Sequence, residues 1–184
     1  MKSIYILLTK SNTYVSKTIQ LATADKYTHI SISFHESLQP MYSFARKYIH
    51  LPLPAGLRVE PLSQGYFKEN DFIPCALYKL DVEDEVYEKA QLMVLQMMDH
   101  ADIYKFNVIG LLLCKLNIPL KRQHHYFCSE FVSEVLIQSE AISLTKDPSL
   151  IRPSDYLNFQ ELNYIYSGEI RDLVETVKLN YVNV

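Results

Sequence analysis

Short alternating or β-branched segments crowd the first eighty residues, and longer segments of 3.6-residue period follow them. Residues 4–9 form one apolar, β-branched run and predict a buried strand. Val15, Ile19 and Ala22 recur at helical spacing and predict a helix over residues 15–23. Residues 29–34 (HISISF) alternate strictly, with Ile30, Ile32 and Phe34 on one face and His29, Ser31 and Ser33 on the other. This predicts a half-buried strand that begins with a histidine. Pro40 leads into a second short strand over residues 41–44. Residues 51–74 hold four of the eight prolines and two of the four glycines and predict loop, apart from one strand over residues 57–62. A loop of that length in a compact fold is often functional. Residues 76–80 alternate again and predict a strand.

The clearest helix covers residues 81–99. Asp81 is placed to cap it, Glu83, Asp84 and Glu85 suit its positive end, and Val86, Ala90, Met93, Val94 and Met97 form its apolar stripe. Residues 106–116 predict a second, more buried helix, closed by Pro119. A third spans residues 127–138, with Phe131, Val132, Val135 and Leu136 inward. A short helix from Ser154 and another over residues 169–177 complete the pattern. The fold class expected is α+β in a single domain over residues 1–184, with strands gathered before residue 80 and helices after it.

Composition narrows the classes of function. The chain has 184 residues, 18 Lys+Arg against 21 Asp+Glu, and a formal net charge of −3. This balance argues against a nucleic-acid binder that works by neutralising phosphates. Cys75, Cys114 and Cys128 are odd in number and far apart, which fits a reducing compartment better than a disulfide framework. The apolar run near the N-terminus is shorter than the roughly 7–15 residues of a signal-peptide core. The longest apolar run (VIGLLLC, from Val108) falls far short of the ~20 residues of a membrane span. A cytoplasmic protein without a transmembrane segment is expected.

Cys128 draws attention first. It lies in His124-His125-Tyr126-Phe127-Cys128-Ser129-Glu130-Phe131, where a polar stretch becomes helical. A thiol at a helix N-terminus meets the positive end of the macrodipole and free N–H groups, which favour the thiolate and can receive an oxyanion. Taken alone, a single cysteine on an amphipathic helix is more often a small buried hydrophobe, and Cys75 and Cys114 look like that kind. A thiolate nucleophile also needs a base, and His29 on the polar face of its strand is the candidate, although spacing alone does not choose it over the other histidines. His124, His125 and Cys128, or Asp99, His100 and Asp102, could be read as metal ligands. Neither cluster has the paired short spacing of a structural zinc site, so no metal and no cofactor are expected.

Taken together, Tyr27-Thr28-His29-Ile30-Ser31-Ile32-Ser33 and, about a hundred residues later, Tyr126-Phe127-Cys128-Ser129-Glu130-Phe131-Val132 resemble the circularly permuted branch of the NlpC-type, papain-like cysteine peptidases. In that branch the histidine strand precedes the cysteine helix. Residues 16–27, 41–47 and 151–157 (IRPSDYL) are similar to the segments that flank those motifs. The resemblance implies a papain-like core, a small antiparallel sheet packed on the helix that carries the nucleophile. It implies Cys128 as nucleophile and His29 as base. It also implies a polar residue on the following strand that orients the imidazole. The usual residue types are not evident there; Ser43 is the nearest candidate, with Glu36, Gln39 and Glu60 as further possibilities.

Three functions follow as expectations. The first is an amidase or peptidase that cleaves a peptide or isopeptide amide through a Cys128 thioacyl intermediate. The second is an enzyme that moves or hydrolyses lipid acyl groups, since the permuted architecture also resembles lecithin:retinol acyltransferase relatives. The third is a binding module that kept the fold without efficient catalysis. A polar, narrow cleft would favour the first and a deep apolar cleft the second. The partner expected is a peptide-like or acyl substrate rather than nucleic acid, and oligomeric state is left open.

Overall fold

A computed structural model describes residues 1–10, 25–48, 51, 53–70 and 72–182. The helix expected over residues 15–23 lies outside them. Eight strands are described: β1 (Lys2–Thr9), β2 (His29–Ser33), β3 (Tyr42–Arg46), β4 (Ala55–Val59), β5 (Pro74–Val82), β6 (Lys105–Phe106), β7 (His125–Tyr126) and β8 (Asn163–Glu169). The α-helices are α1 (Gly65–Glu69), α2 (Asp84–Asp99), α3 (Val108–Lys115), α4 (Cys128–Gln138) and α5 (Ile170–Val182), and Pro148–Leu150 and Pro153–Asn158 are 3₁₀ turns. The architecture is mixed α+β, built on a six-stranded antiparallel sheet of order β4-β3-β2-β1-β5-β8, with β6 and β7 paired in parallel beside it.

β1 lies inside the sheet, and its composition explains why. It pairs with β2 from Tyr5↔Ser33 to Thr9↔His29 and with β5 from Lys2↔Val82 to Thr9↔Cys75. Ile4, Ile6 and Leu8 belong to the core that contains α2 and α4, whereas Tyr5 and Leu7 belong to a second core with Phe67 of α1 and Ile170 and Leu173 of α5. A strand covered on both faces reads as an unbroken apolar run, as β1 does.

The same burial changes the reading of β2. The sequence predicts one solvated face, yet Ser31 and Ser33 are fully buried. Alternation reported the polarity of that face correctly but not its exposure. Buried hydroxyls need partners, and each has one: Ser31 Oγ donates to Glu60 Oε2 at 2.8 Å and Ser33 Oγ to His35 O at 3.3 Å.

Four further expectations are corrected. Asp81 does not cap α2; it stays in β5, where Ser3 Oγ donates to its carboxylate at 2.6 Å, and Glu83 is the N-cap residue. Within residues 51–74 the strand is β4, earlier than expected, and Gly65–Glu69 is helical. Strands are not confined to the first eighty residues, because β8 pairs with β5 from Pro74↔Glu169 to Lys79↔Asn163. As an edge strand it is mostly exposed and lacks a buried alternating face, so its pattern gave little signal. Finally, α3 is not the more buried helix. Only Gly110 and Cys114 of α3 are buried, and several of its large apolar side chains face outward. Among the described residues, no helix is long and apolar enough to cross a membrane.

Candidate active site

The register of β1 and β2 ends at Thr9↔His29, reinforced by Thr28 N donating to Thr9 O at 3.0 Å. His29 therefore sits at the end of a well-anchored strand. Its Nε2 lies 2.7 Å from Glu60 Oε2, the oxygen that also accepts from Ser31 Oγ. The side chains are 15% and 13% exposed, so the pair is shielded but open on one side. With Nε2 engaged, Nδ1 is the ring nitrogen left to face Cys128, which lines the same cleft and helps to raise the pKa of the imidazole. The structure thus brings together His29 and Cys128, which stand about a hundred residues apart in sequence.

The residue that holds the imidazole is Glu60 and not Ser43. Ser43 is fully buried, and its hydroxyl donates to Ile30 O at 2.7 Å. β2 and β3 share only the pair Ile32↔Tyr42, and the Ser43 hydroxyl supplies a cross-strand bond that the ladder lacks there. Glu60 follows β4, and its N–H donates to Met41 O at 2.8 Å, which extends the β3–β4 ladder by one step. It arrives from a strand later than the one where the resemblance places the third residue. Glu36 and Gln39 are exposed, in the turn beyond the opposite end of β2.

Electrostatics follow from this geometry. Burial by itself lowers the pKa of His29, but the Glu60 carboxylate and the Cys128 side chain outweigh it and hold the imidazolium well above the usual histidine range. Burial by itself raises that of Glu60, and the facing imidazole, the Ser31 hydroxyl and Arg58 bring it below the usual range. Burial pushes the Cys75 thiol up to about 12 and the Cys114 thiol up to about 11. Neither is positioned to act as a thiolate near neutrality.

Cys128 is the first residue of α4 and is 7% exposed. Phe127 precedes it with extended backbone and offers no side-chain cap. Instead Glu130 Oε2 reaches back to accept from Phe127 N at 3.3 Å, and Asn107 Nδ2 donates to the same oxygen at 3.3 Å. Asn107 Oδ1 in turn accepts from Gly110 N at 3.0 Å and caps α3. Gly110 fits only because it has no side chain; a Cβ there would stand 2.2 Å from Asn107 Nδ2. The segment over residues 151–157 fastens the other side. Ser129 Oγ donates to Ile151 O at 2.7 Å, Tyr27 N donates to Ser154 Oγ at 3.3 Å, and the Ser133 and Tyr156 hydroxyls lie 2.8 Å apart.

The chain matches no family model and no curated protein.

Glu130 gives this support a pH dependence. Burial pushes its carboxyl up to about 7, outweighing the Phe127 N–H and the Asn107 amide that favour the charge. The folded pKa lies above the unfolded one, so the folded state holds the proton more tightly, and stability falls as pH rises from about 4.5 to 7. Glutamine keeps the acceptor and removes the charge. Glu130→Gln is expected to be near neutral at pH 5 and stabilising by about 2–3 kcal/mol at pH 8. Urea unfolding at the two pH values measures it; equal effects at both would contradict the burial argument.

His29, Glu60 and Cys128 open into a cleft of about 680 Å³, within the size range of small-molecule sites. Its lining is mainly apolar. The Pro/Gly stretch of residues 51–74 forms one wall with Leu53, Tyr66 and Phe67, and Phe106, Val108, Leu111 and Leu112 line it from in and beside α3. Tyr27 lines the cleft, whereas Tyr126 packs against Phe44 and Tyr104 instead. The basic residues in the lining are Arg46, Lys47, Arg58, Lys115 and Arg152. The acidic ones are Glu60, engaged by His29, and Asp25, 3.9 Å from Arg152. His124 packs edge-on against Tyr104, and His125 Nδ1 lies 2.8 Å from Gln123 O, so neither joins Cys128 in a ligand set. Among the described residues, no three His, Cys, Asp or Glu side chains are grouped to hold a metal ion.

Proposed function

We propose that the protein is a cysteine-dependent acyl hydrolase or acyltransferase of papain-like architecture, acting on substrates with an apolar acyl chain. The observation that carries this reading is the Glu60–His29–Cys128 constellation, set at a helix N-terminus within a mainly apolar cleft of about 680 Å³. Glu60 orients the ring and favours the imidazolium, and Cys128 attacks the acyl carbonyl as a thiolate. The N–H groups of the first turn of α4, which have no acceptor within the helix, stabilise the oxyanion. The tetrahedral intermediate collapses as the C–O or C–N bond breaks, and His29 gives its proton to the leaving group. Neutral His29 then takes a proton from water, or from an acceptor nucleophile, which attacks the thioester and regenerates Cys128.

Cleft lining ranks the substrates. A peptide site would present polar groups to hold an extended backbone, whereas this cleft offers aromatic and aliphatic walls. With the Arg152–Asp25 pair set aside, four basic side chains remain beside the one carboxylate of Glu60, itself held by His29, which favours a negatively charged head group over a cationic one. Peptide or isopeptide cleavage by the same three residues is therefore the second reading. Three unpaired cysteines suit a reducing compartment such as the cytoplasm.

A panel of p-nitrophenyl esters from acetate to dodecanoate, run beside chromogenic peptide amides, tests the proposal. Each added methylene buried in the cleft is worth about 0.8 kcal/mol, roughly a fourfold gain in kcat/KM per carbon until the cleft is filled. A profile flat in chain length with faster peptide turnover would reverse the order of the two readings. Limiting iodoacetamide supplies an independent check. At pH 7 it is expected to label Cys128 and to spare Cys75 and Cys114, and the Cys128 label is expected to disappear in His29→Ala. Labelling of Cys75 first would remove the basis for the mechanism.

A further inference from the structure

The outward face of α3 extends beyond the cleft lining. Val108, Ile109, Leu112 and Leu116 are 38%, 53%, 55% and 69% exposed. At 100° per residue these four positions fall within an arc of about 100°. The buried Gly110 and Cys114 lie on the opposite side. Ile118 extends the patch beyond the helix, 47% exposed. Four large aliphatic side chains on about two and a half turns, the last at the C-cap, exceed the scattered apolar exposure of ordinary surfaces.

Two observations say what covers this face. Val108 and Leu112 also line the cleft, so the exposed patch and the cleft wall are one apolar surface. The charged residues of this stretch itself are all basic. Residues 103–129 contain Lys105, Lys115, Lys121 and Arg122 and no aspartate or glutamate, in a chain of net charge −3. Lys105, Lys121 and Arg122 are exposed; Lys121 pairs with Glu134 at 3.8 Å and also faces Glu130 and Asp147, which leaves Lys105 and Arg122 as the more available charges. Exposed apolar side chains in a stretch whose own charges are all basic, on a helix too short to span a bilayer, suit an element that lies in a membrane interface.

We infer that α3 and the residues after it dock the protein on an anionic membrane surface, so that a lipid-borne acyl chain passes along Val108 and Leu112 into the cleft. The inference rests on the acyl-chain reading of that cleft. Burying the aliphatic face supplies the apolar contribution, and each basic residue near an anionic surface strengthens binding severalfold.

The test is sedimentation of the full chain with vesicles of phosphatidylcholine, with and without one quarter phosphatidylglycerol. The unsubstituted protein is expected to partition at least tenfold more strongly onto the anionic vesicles and to be released by 0.5 M salt. Ile109 and Leu116 do not line the cleft, so Ile109→Asp/Leu116→Asp is expected to lower partitioning at least tenfold. Its turnover of a soluble butyrate ester should stay within twofold, which also reports that it folds. Ile109→Ser/Leu116→Ser is the milder companion, and Lys121→Gln/Arg122→Gln is expected to weaken binding to the anionic vesicles alone. Partitioning unchanged in all three variants would overturn the docking. So would a self-associated form that the aspartates dissolve, because a second copy would then cover the face. Vesicle binding without Cys128-dependent turnover of the ester would keep the docking and remove the hydrolase reading.

Discussion

Cys128→Ala is expected to lower kcat/KM on an acyl ester by on the order of 10⁴-fold or more, with no comparable loss of stability. Removing the nucleophile of a coupled constellation forfeits the covalent route, leaving only what binding and the oxyanion site give. The thiol is small and sits at the first position of α4, so alanine leaves a minor void. The helix keeps its supports, the Glu130 contact to Phe127 N and the Ser129 bond to Ile151 O. Steady-state turnover and calorimetry on one preparation check both halves. A variant that keeps more than about one percent of activity would transfer the chemistry elsewhere. Cys75 and Cys114, with thiols pushed up by burial, are poor places for it to go, although Cys114 also lines the cleft.

The second large effect concerns Glu60. Glu60→Gln is expected to reduce kcat/KM about 10²-fold and to move the alkaline limb of the pH profile to lower pH. The sign follows from the imidazolium being the form that protonates the leaving group. His29 is held above the usual histidine range, with Glu60 the largest opponent of burial. Removing that charge lets burial lower the pKa, so the imidazolium disappears at a lower pH. Stability follows the same linkage. The raised His29 stabilises the fold at and below its unfolded pKa, near 6.5, and that contribution is lost as pH rises through the raised value. The lowered Glu60 stabilises above about 4.5 and that contribution is lost as pH falls through its lowered value. Ser43→Ala is the control. Its hydroxyl serves Ile30 O, so it is expected to cost about 1 kcal/mol of stability and to leave the pH profile in place. A profile that shifts with Ser43→Ala and not with Glu60→Gln would exchange the roles of the two residues.

Much of this site was legible in sequence because its elements are local. His29 opens a segment of strict alternation, and Cys128 stands where a polar stretch becomes helical, so both could be placed on elements before any contact was known. Glu60 was visible only as one of several possibilities. Its role depends on an oxygen that meets His29 and Ser31 across two strands, and no periodicity encodes that. Ser43 was favoured because it is polar and lies on the next strand, and what excludes it is a missing ladder bond. The burial of Ser31 and Ser33 was hidden for a related reason. A polar face looks the same in sequence whether it meets water or a buried carboxylate. The outward turn of α3 is the converse case. A helix apolar all round reads as core, and only packing shows that Gly110 and Cys114 are its inward side.

The fastening of α4 by residues 151–157 bears on when the chain becomes chemically competent. Synthesis delivers the N-terminal segments first, at about 5–20 residues per second. β1, β2 and the segment carrying Glu60 therefore emerge well before the helix that bears the thiol. Cys128 itself appears ahead of Ile151, Ser154 and Tyr156, which bond to Ser129, Tyr27 and Ser133. Until those residues leave the ribosome, the start of α4 has the Glu130 and Asn107 contacts and its apolar packing but lacks the bonds from residues 151–157. A nascent chain arrested before Ile151 would carry the thiol without its geometry, so the reactive centre comes into being late in translation, once most of the sheet can already be in place.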